Sequence, residues 1–124
     1  MKWEIDDNKQ IHPQIVEEIT KRIIQGIYSP GEKIPSVREL AIEARVNPNT
    51  MQKALVELED SQIIVTKRTT GKFVTTDETL LKEIEVSLSI LIVKEFVKRM
   101  QDLKINNKTI ITMIESEIKH DQNK

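Results

Sequence analysis

Ile15, Ile19, Ile23 and Ile24 fall on one side of a helix, with charged residues between them. The spacing predicts a helix from about Pro13 to Gly26, since proline suits an early helical position and glycine the stop. Glu17, Glu18, Lys21 and Arg22 are then assigned to its outward side. Ahead of it, residues 1–10 are polar, with Trp3 and Ile5 on one alternating face. They read as a short strand or as a segment lying against the body.

Ser29-Pro30-Gly31 is a turn signal, and Pro35 closes the link that follows. Ser36 then has the character of an N-cap, and Glu39 completes a capping box, opening a second helix that ends near Ala44 or Arg45. Leu40 and Ala41 are its inward residues, and Val46 is expected to be buried in the turn after it. Asn47 caps a third helix with Pro48 at its first position. Met51, Leu55 and Leu58 form the inward face of that helix, which leaves Asn49, Thr50, Gln52 and Lys53 pointing away.

Ile63-Ile64-Val65-Thr66 and Phe73-Val74-Thr75 are strand-forming runs. Lys67, Arg68, Thr69, Thr70 and Gly71 lie between them, so the segment reads as a hairpin with a basic tip. Thr76 or Asp77 can cap a long helix reaching about Leu103. Asn106-Asn107-Lys108 breaks it, and a last amphipathic helix carries Ile110, Ile111, Ile114 and Ile118 on one side to about His120. The fold class is mainly α with a small β-hairpin. Residues 1–76 are expected to form one domain of three helices and the hairpin, which the family resemblance given below implies is a winged helix-turn-helix, and residues 77–124 a two-helix region.

Two short helices joined by a tight turn, with a basic ribbon behind them, can place a helix in a DNA groove while the hairpin grips the backbone. The formal net charge of -1 looks unfavourable for such a role. From Gly31 to Thr76, however, there are seven basic and six acidic residues. Glu57, Glu59 and Asp60 gather at one helix end, while Lys67, Arg68 and Lys72 crowd the hairpin. A local positive face on a near-neutral protein is compatible with specific, salt-sensitive DNA binding.

Composition removes other classes. There is no cysteine, which excludes disulfides, cysteine-ligated zinc, iron–sulfur clusters and thiol catalysis. His12 and His120 lie at opposite ends without an acidic cluster at ligand spacing, and no glycine-rich phosphate loop or nucleophile–base pair can be drawn. No catalytic residue, metal site or cofactor is expected. The first ten residues do not form a signal peptide, and the apolar window from Ser87 to Val97 is broken by Lys94 and Glu95. The expectation is a cytoplasmic protein with no membrane partner.

Several ordered motifs resemble the GntR family of bacterial transcription regulators. They are Gln14-Ile15, Gly26-Ile27-Tyr28-Ser29-Pro30-Gly31, Pro35-Ser36-Val37-Arg38-Glu39-Leu40-Ala41, Val46-Asn47-Pro48-Asn49-Thr50-Met51 with Ala54-Leu55 and Leu58, and Gly71-Lys72-Phe73-Val74. The Val-Asn-Pro-Asn-Thr form and a tail of about 48 residues are similar to the YtrA-type branch, whose tail is a short helical dimerisation unit. The chain departs from the family at Gln62 and Thr69, where glycine is usual, and at Pro48, where arginine is common.

The resemblance implies double-stranded DNA as partner, with repression the usual mode. Residues expected at the DNA are Ser36, Arg38, Arg45, Pro48, Asn49, Thr50, Gln52, Lys53, Arg68, Thr70, Gly71 and Lys72. Asn and Gln suit adenine edges, Ser36 and Thr50 suit phosphates at helix starts, and Gly71 lets the wing backbone come close. Arg38 matches the family arginine that reaches DNA. Two other readings stand beside these: a solvated hairpin whose charges protect an edge strand, and an Arg38 paired to a carboxylate. A winged-helix module that binds protein rather than DNA is the alternative function.

Between Val86 and Val97 the apolar residues cover more than one helix face, more than a short neighbouring helix can bury. A twin subunit is the simplest cover, giving a two-fold homodimer on an inverted repeat. Val86, Ile90, Leu91, Val93, Phe96, Val97 and Met100 are its expected interface. A small-molecule effector is left open, for the chain shows no chemistry that would name one.

Overall fold

The computed structural model describes residues 2–123. Its elements run α1 (Ile11–Ile24), α2 (Val37–Ala44), α3 (Pro48–Asp60), β1 (Ile64–Lys67), β2 (Gly71–Val74), α4 (Glu78–Asp102) and α5 (Asn107–Gln122). Two compact units result, Met1–Glu83 and Ile84–Lys124, so the division falls inside α4.

In the first unit α1, α2 and β1 all pack on α3. The core takes Ile15, Ile19 and Ile23 from α1, Leu40 and Ala41 from α2, and Met51, Ala54, Leu55 and Leu58 from α3. Ile34, Ile63, Ile64 and Val74 close it from the links and the hairpin. Each large aliphatic side chain buried this way contributes about 1.5–3 kcal/mol, which is how so few aromatic residues suffice.

Helix ends follow local chemistry. Beyond α1, Gly26 takes φ +80 and donates to the Ile23 carbonyl at 3.1 Å, while Ile27 donates to the Arg22 carbonyl at 2.9 Å. That is a Schellman closure with glycine in the left-handed position. Beyond α3 the same two bonds form, Gln62 to Glu59 at 3.0 Å and Ile63 to Leu58 at 3.1 Å, but Gln62 holds φ +68. Thr69 in the wing tip stands at φ +66. Both positions where glycine was expected from the resemblance are therefore left-handed here, which is the physical reason for a glycine there.

The hairpin pairs Ile64 with Val74 and Lys67 with Gly71, so the turn is shorter than the sequence pattern implies. The link from Gly31 to Ile34 is more than a turn. Gly31 donates to Val74, Val74 to Glu32 and Ile34 to Lys72, each at 2.9 Å, and Lys33 bridges Phe73. This segment extends the ladder along the free edge of β2 and fixes the wing to the stretch that opens α2.

Two expectations, on Arg22 and Val46, are corrected. Arg22 is not on the outward face of α1: its side chain is 1% exposed. It is held by Glu18 and Glu43 at 2.9 Å each and by the Tyr28 hydroxyl at 3.1 Å, and the Trp3 ring lies 4.2 Å from its guanidinium carbon. Apolar periodicity cannot distinguish a buried, paired arginine from an exposed one. Of the two readings of the chain start, residues 2–10 follow the second: they form no strand and lie against the body, Trp3 donating its indole N–H to Glu43 at 2.8 Å. Val46 is half-buried rather than buried.

No described residue of α4, which begins in the first unit and continues into the second, is buried. Asp77 caps α4 by accepting from the Leu80 N–H at 3.0 Å, and Asn106 caps α5 by accepting from the Thr109 N–H at 2.8 Å. Ile110 is the buried residue of α5. Among the described residues no helix is long and apolar enough to cross a membrane.

Candidate nucleic-acid interface

Ser36 and Glu39 form the capping box in full, with Glu39 N–H donating to Ser36 Oγ at 3.1 Å and Ser36 N–H to Glu39 Oε1 at 3.3 Å. α2 is therefore locked from its first residue, and Arg38 projects from a rigid turn. Arg38 is exposed and has no ion pair among the described residues, so it is not consumed in holding helices together. Arg45 ends the helix at φ +58, also exposed.

α3 starts on the Asn47 side chain, which accepts the Asn49 N–H at 2.7 Å, with Pro48 in the first turn. Asn47 is thereby committed to capping. Met51, Ala54, Leu55 and Leu58 occupy the buried side of α3, so Asn49, Gln52 and Lys53 are exposed on the opposite side, while Thr50 is half-buried at the margin. One turn further along the same stripe stands Val56, 42% exposed. Sequence reasoning passed over it. The signal was its spacing of four from Gln52, on a face otherwise polar.

At the wing tip Arg68 is exposed, and its guanidinium has no partner among the described residues. Thr70 N–H donates to the Lys67 carbonyl at 3.2 Å, tightening the turn beneath it. The Lys67 ammonium lies 4.6 Å from the Phe73 ring centroid, a cation–π contact across the ribbon. Lys72 differs from the other cations. Its ammonium is paired to Glu59 at the end of α3 and lies 3.3 Å from Thr66 Oγ1. Burial works to raise the Glu59 carboxyl's pKa, but hydrogen bonds from Lys72 and Thr66 outweigh it and hold the group below its ordinary value. The acidic end of α3 and the basic hairpin are joined, not merely neighbouring.

Between the start of α2 and the wing lies a groove of about 490 Å³, lined in part by Lys33, Ser36, Arg38, Thr70, Gly71 and Lys72. Four elements thus bring most of the expected residues to two adjoining surfaces, the outer stripe of α3 and this groove. The sequence pattern marks the Lys33 segment only as a link and gives no signal for that residue. Among the described residues no group of three or more His, Cys, Asp or Glu could hold a metal ion. His12 Nε2 lies 3.7 Å from a Glu57 carboxylate oxygen.

A family model described as bacterial regulatory proteins, gntR family, matches residues 12–74. Over 113 residues the chain is 33% identical to the uncharacterized HTH-type transcriptional regulator YhcF of Bacillus subtilis (strain 168), covering 91% of this chain and 93% of that one. It is 38% identical over 91 residues to the HTH-type transcriptional repressor YtrA of the same organism, covering 73% of this chain and 67% of that one. A solved GntR family transcriptional regulator from Listeria monocytogenes is similar at a TM-score of 0.84 and 40% identity, covering 90% of this chain and 98% of that chain.

Proposed function

The chain belongs to the gntR family of bacterial regulatory proteins, as a DNA-binding transcriptional regulator of the YtrA type, and from that premise we propose that it is a repressor acting as a homodimer on an inverted repeat. α3 enters the major groove with Asn49, Thr50, Gln52 and Lys53 leading, Pro48 setting the helix start without adding a base contact. Asn49 and Gln52 suit adenine edges, and Thr50 suits an edge or a phosphate. Arg38 from α2 and its N-cap Ser36, Arg45 from the turn, and Arg68, Thr70 and the Gly71 backbone from the wing hold the sugar-phosphate rails.

The observation that carries this reading is the exposed polar stripe of Asn49, Gln52 and Lys53, backed by a fully buried opposite face. A rigid helix with its donors unspent is what base readout needs, because donors already bonded within the protein give no discrimination. Repression has support from the similarity to a named repressor.

The twin subunit has support from α4. Val86, Ile90, Leu91, Val93 and Phe96 are each between 40% and 58% exposed, Val97 and Met100 are half-buried, and Phe96 and Met100 line open grooves in the second unit. A continuous apolar surface of this extent on one helix favours burial against a copy of itself.

Footprinting on genomic fragments captured by the purified protein tests the proposal. Two related half-sites in opposite orientation, about one or two helical turns apart, are expected. If no duplex is preferred even at low salt, the protein-docking reading replaces it.

A further inference from the structure

Resting on the DNA-binding reading above, we propose that Lys33 is a phosphate contact of this protein, and that Lys72 is a positioning residue that braces the wing to α3. The basic residue nearest the duplex on the α2 side of the wing then lies in the link before α2, not in the hairpin.

Lys72 is held on every side. Its backbone carbonyl accepts the Ile34 N–H at 2.9 Å, its ladder partner is Thr66, and its ammonium is paired to Glu59. Its side chain is 18% exposed and that of Glu59 28%, so the pair is largely shielded from solvent ions. Releasing this ammonium to a phosphate would leave the Glu59 carboxylate unpaired beside the duplex, an arrangement in which like charges face each other. The pair joins the end of the reading helix to β2, and so sets the angle at which the wing leaves α3.

Lys33 is in the opposite condition. It is exposed and has no hydrogen bond or ion pair among the described residues. Its backbone is fixed by the bridge to Phe73, so the side chain leaves from a rigid point. The stem lies across Gly71, where a Cβ would stand 2.7 Å from Lys33 Cε. Gly71, at φ +121, therefore does more than allow a tight turn, because its missing side chain is the space the lysine occupies. From there Lys33 lines the groove with Ser36, Arg38 and Thr70. The groove's carboxylate, Glu39, is turned to the Ser36 N–H and leaves Lys33 and Arg38 uncompensated. Two cations without an ion pair among the described residues, beside the Ser36 hydroxyl, suit the backbone phosphates of a duplex.

The test is the salt dependence of operator binding by the full chain, followed by fluorescence anisotropy between 50 and 200 mM salt for wild type, Lys33→Gln, Lys72→Gln and Glu59→Gln. Each lost phosphate contact lowers the slope of log affinity against log salt by about 0.9. Lys33→Gln is expected to lower the slope by that amount, so that its affinity loss over this range is about three- to fourfold smaller than that of wild type. Circular dichroism should show it folded as wild type. Lys72→Gln and Glu59→Gln should weaken binding to similar degrees, lower the melting temperature together and leave the slope unchanged. A slope lowered by Lys72→Gln and untouched by Lys33→Gln would overturn the assignment while leaving the DNA-binding reading in place. A wild-type protein without salt-sensitive operator binding would overturn both.

Discussion

Arg22 in α1 and Glu43 in α2 meet at 2.9 Å across the helix pair, with the arginine 1% and the glutamate 34% exposed. Trp3 covers the guanidinium and bonds the same carboxylate, so one cluster ties the residues ahead of α1 to the first two helices. The asymmetry in burial yields a prediction. Glu43→Ala leaves the buried guanidinium with Glu18 as its one carboxylate and is expected to cost about 2–4 kcal/mol. Arg22→Met fills similar space and leaves carboxylates that water can reach, so it should cost less, about 1–2 kcal/mol. Chemical denaturation of both variants checks the order, and the reverse order would show the cluster to be held by packing alone.

The same cluster, with Glu59, sets a pH dependence. Burial works to raise the Glu43 carboxyl's pKa, yet hydrogen bonds from Arg22 and Trp3 prevail and keep it below its ordinary value. Glu59 is lowered likewise through Lys72 and Thr66. Because the folded state holds these groups lower than the unfolded chain does, their contribution is complete above the ordinary carboxylate range. It is lost as pH falls through the lowered values. Urea midpoints measured from pH 7 downward should drop below about pH 5, and Glu43→Gln and Glu59→Gln should each flatten that drop. Variants that follow the wild-type curve would remove both groups from the account.

Much of the first unit is written in short-range signals. The Ser36–Glu39 box, Asn47-Pro48, Gly26 and the strand-forming runs around the basic tip each act within a few residues, so reading along the chain finds them. What escaped depends on partners distant in sequence. Arg22 looks like a surface arginine until Glu43 and Trp3 are brought to it from 21 and 19 positions away. Lys33 looks like a link residue until β2 pairs with it. Lys72 looks like a free cation until the end of α3 meets it, 13 positions back. In each case an apolar pattern is silent, because the deciding contact is polar and long-range.

Two left-handed positions carry residues that resist that conformation. Replacing Gln62, at φ +68, with glycine should keep both closing bonds of α3 while relieving backbone strain, a gain of about 0.5–1 kcal/mol after glycine's greater unfolded entropy. Thr69→Gly, at φ +66, relieves a β-branched residue and forfeits its hydroxyl bond to the Arg68 carbonyl, so a smaller gain is expected. Thermal melting decides this, and a lowered midpoint for Gln62→Gly would mean that the side chain holds something its geometry does not reveal.

Base readout and phosphate gripping are separable by competition. Gln52→Ala, on the exposed stripe of α3, should lose about 1–3 kcal/mol for the preferred operator and little for unrelated duplex. Arg38→Ala is expected to weaken operator binding, and the ratio of operator to unrelated DNA tells whether it meets a base edge or a phosphate. Normal operator binding by Arg38→Ala would take that residue off the surface altogether.

The second unit poses the sharpest packing question. A helix of 25 residues without a buried side chain cannot derive its stability from burial within its own chain, and Leu91, Ile92 and Val93 are all at least half exposed. If a twin subunit covers this surface, a charge in its middle must be desolvated on assembly, at a cost no apolar neighbour can offset. Leu91→Glu and Phe96→Glu are therefore expected to give monomers in sedimentation at micromolar concentration. Operator affinity should fall steeply in both, because two linked half-sites gain from effective concentration what a single one lacks. The first unit, whose core excludes both residues, should keep its helical signal and melting transition. A wild-type chain that sediments as a stable monomer would instead leave the α4 surface to some other occupant.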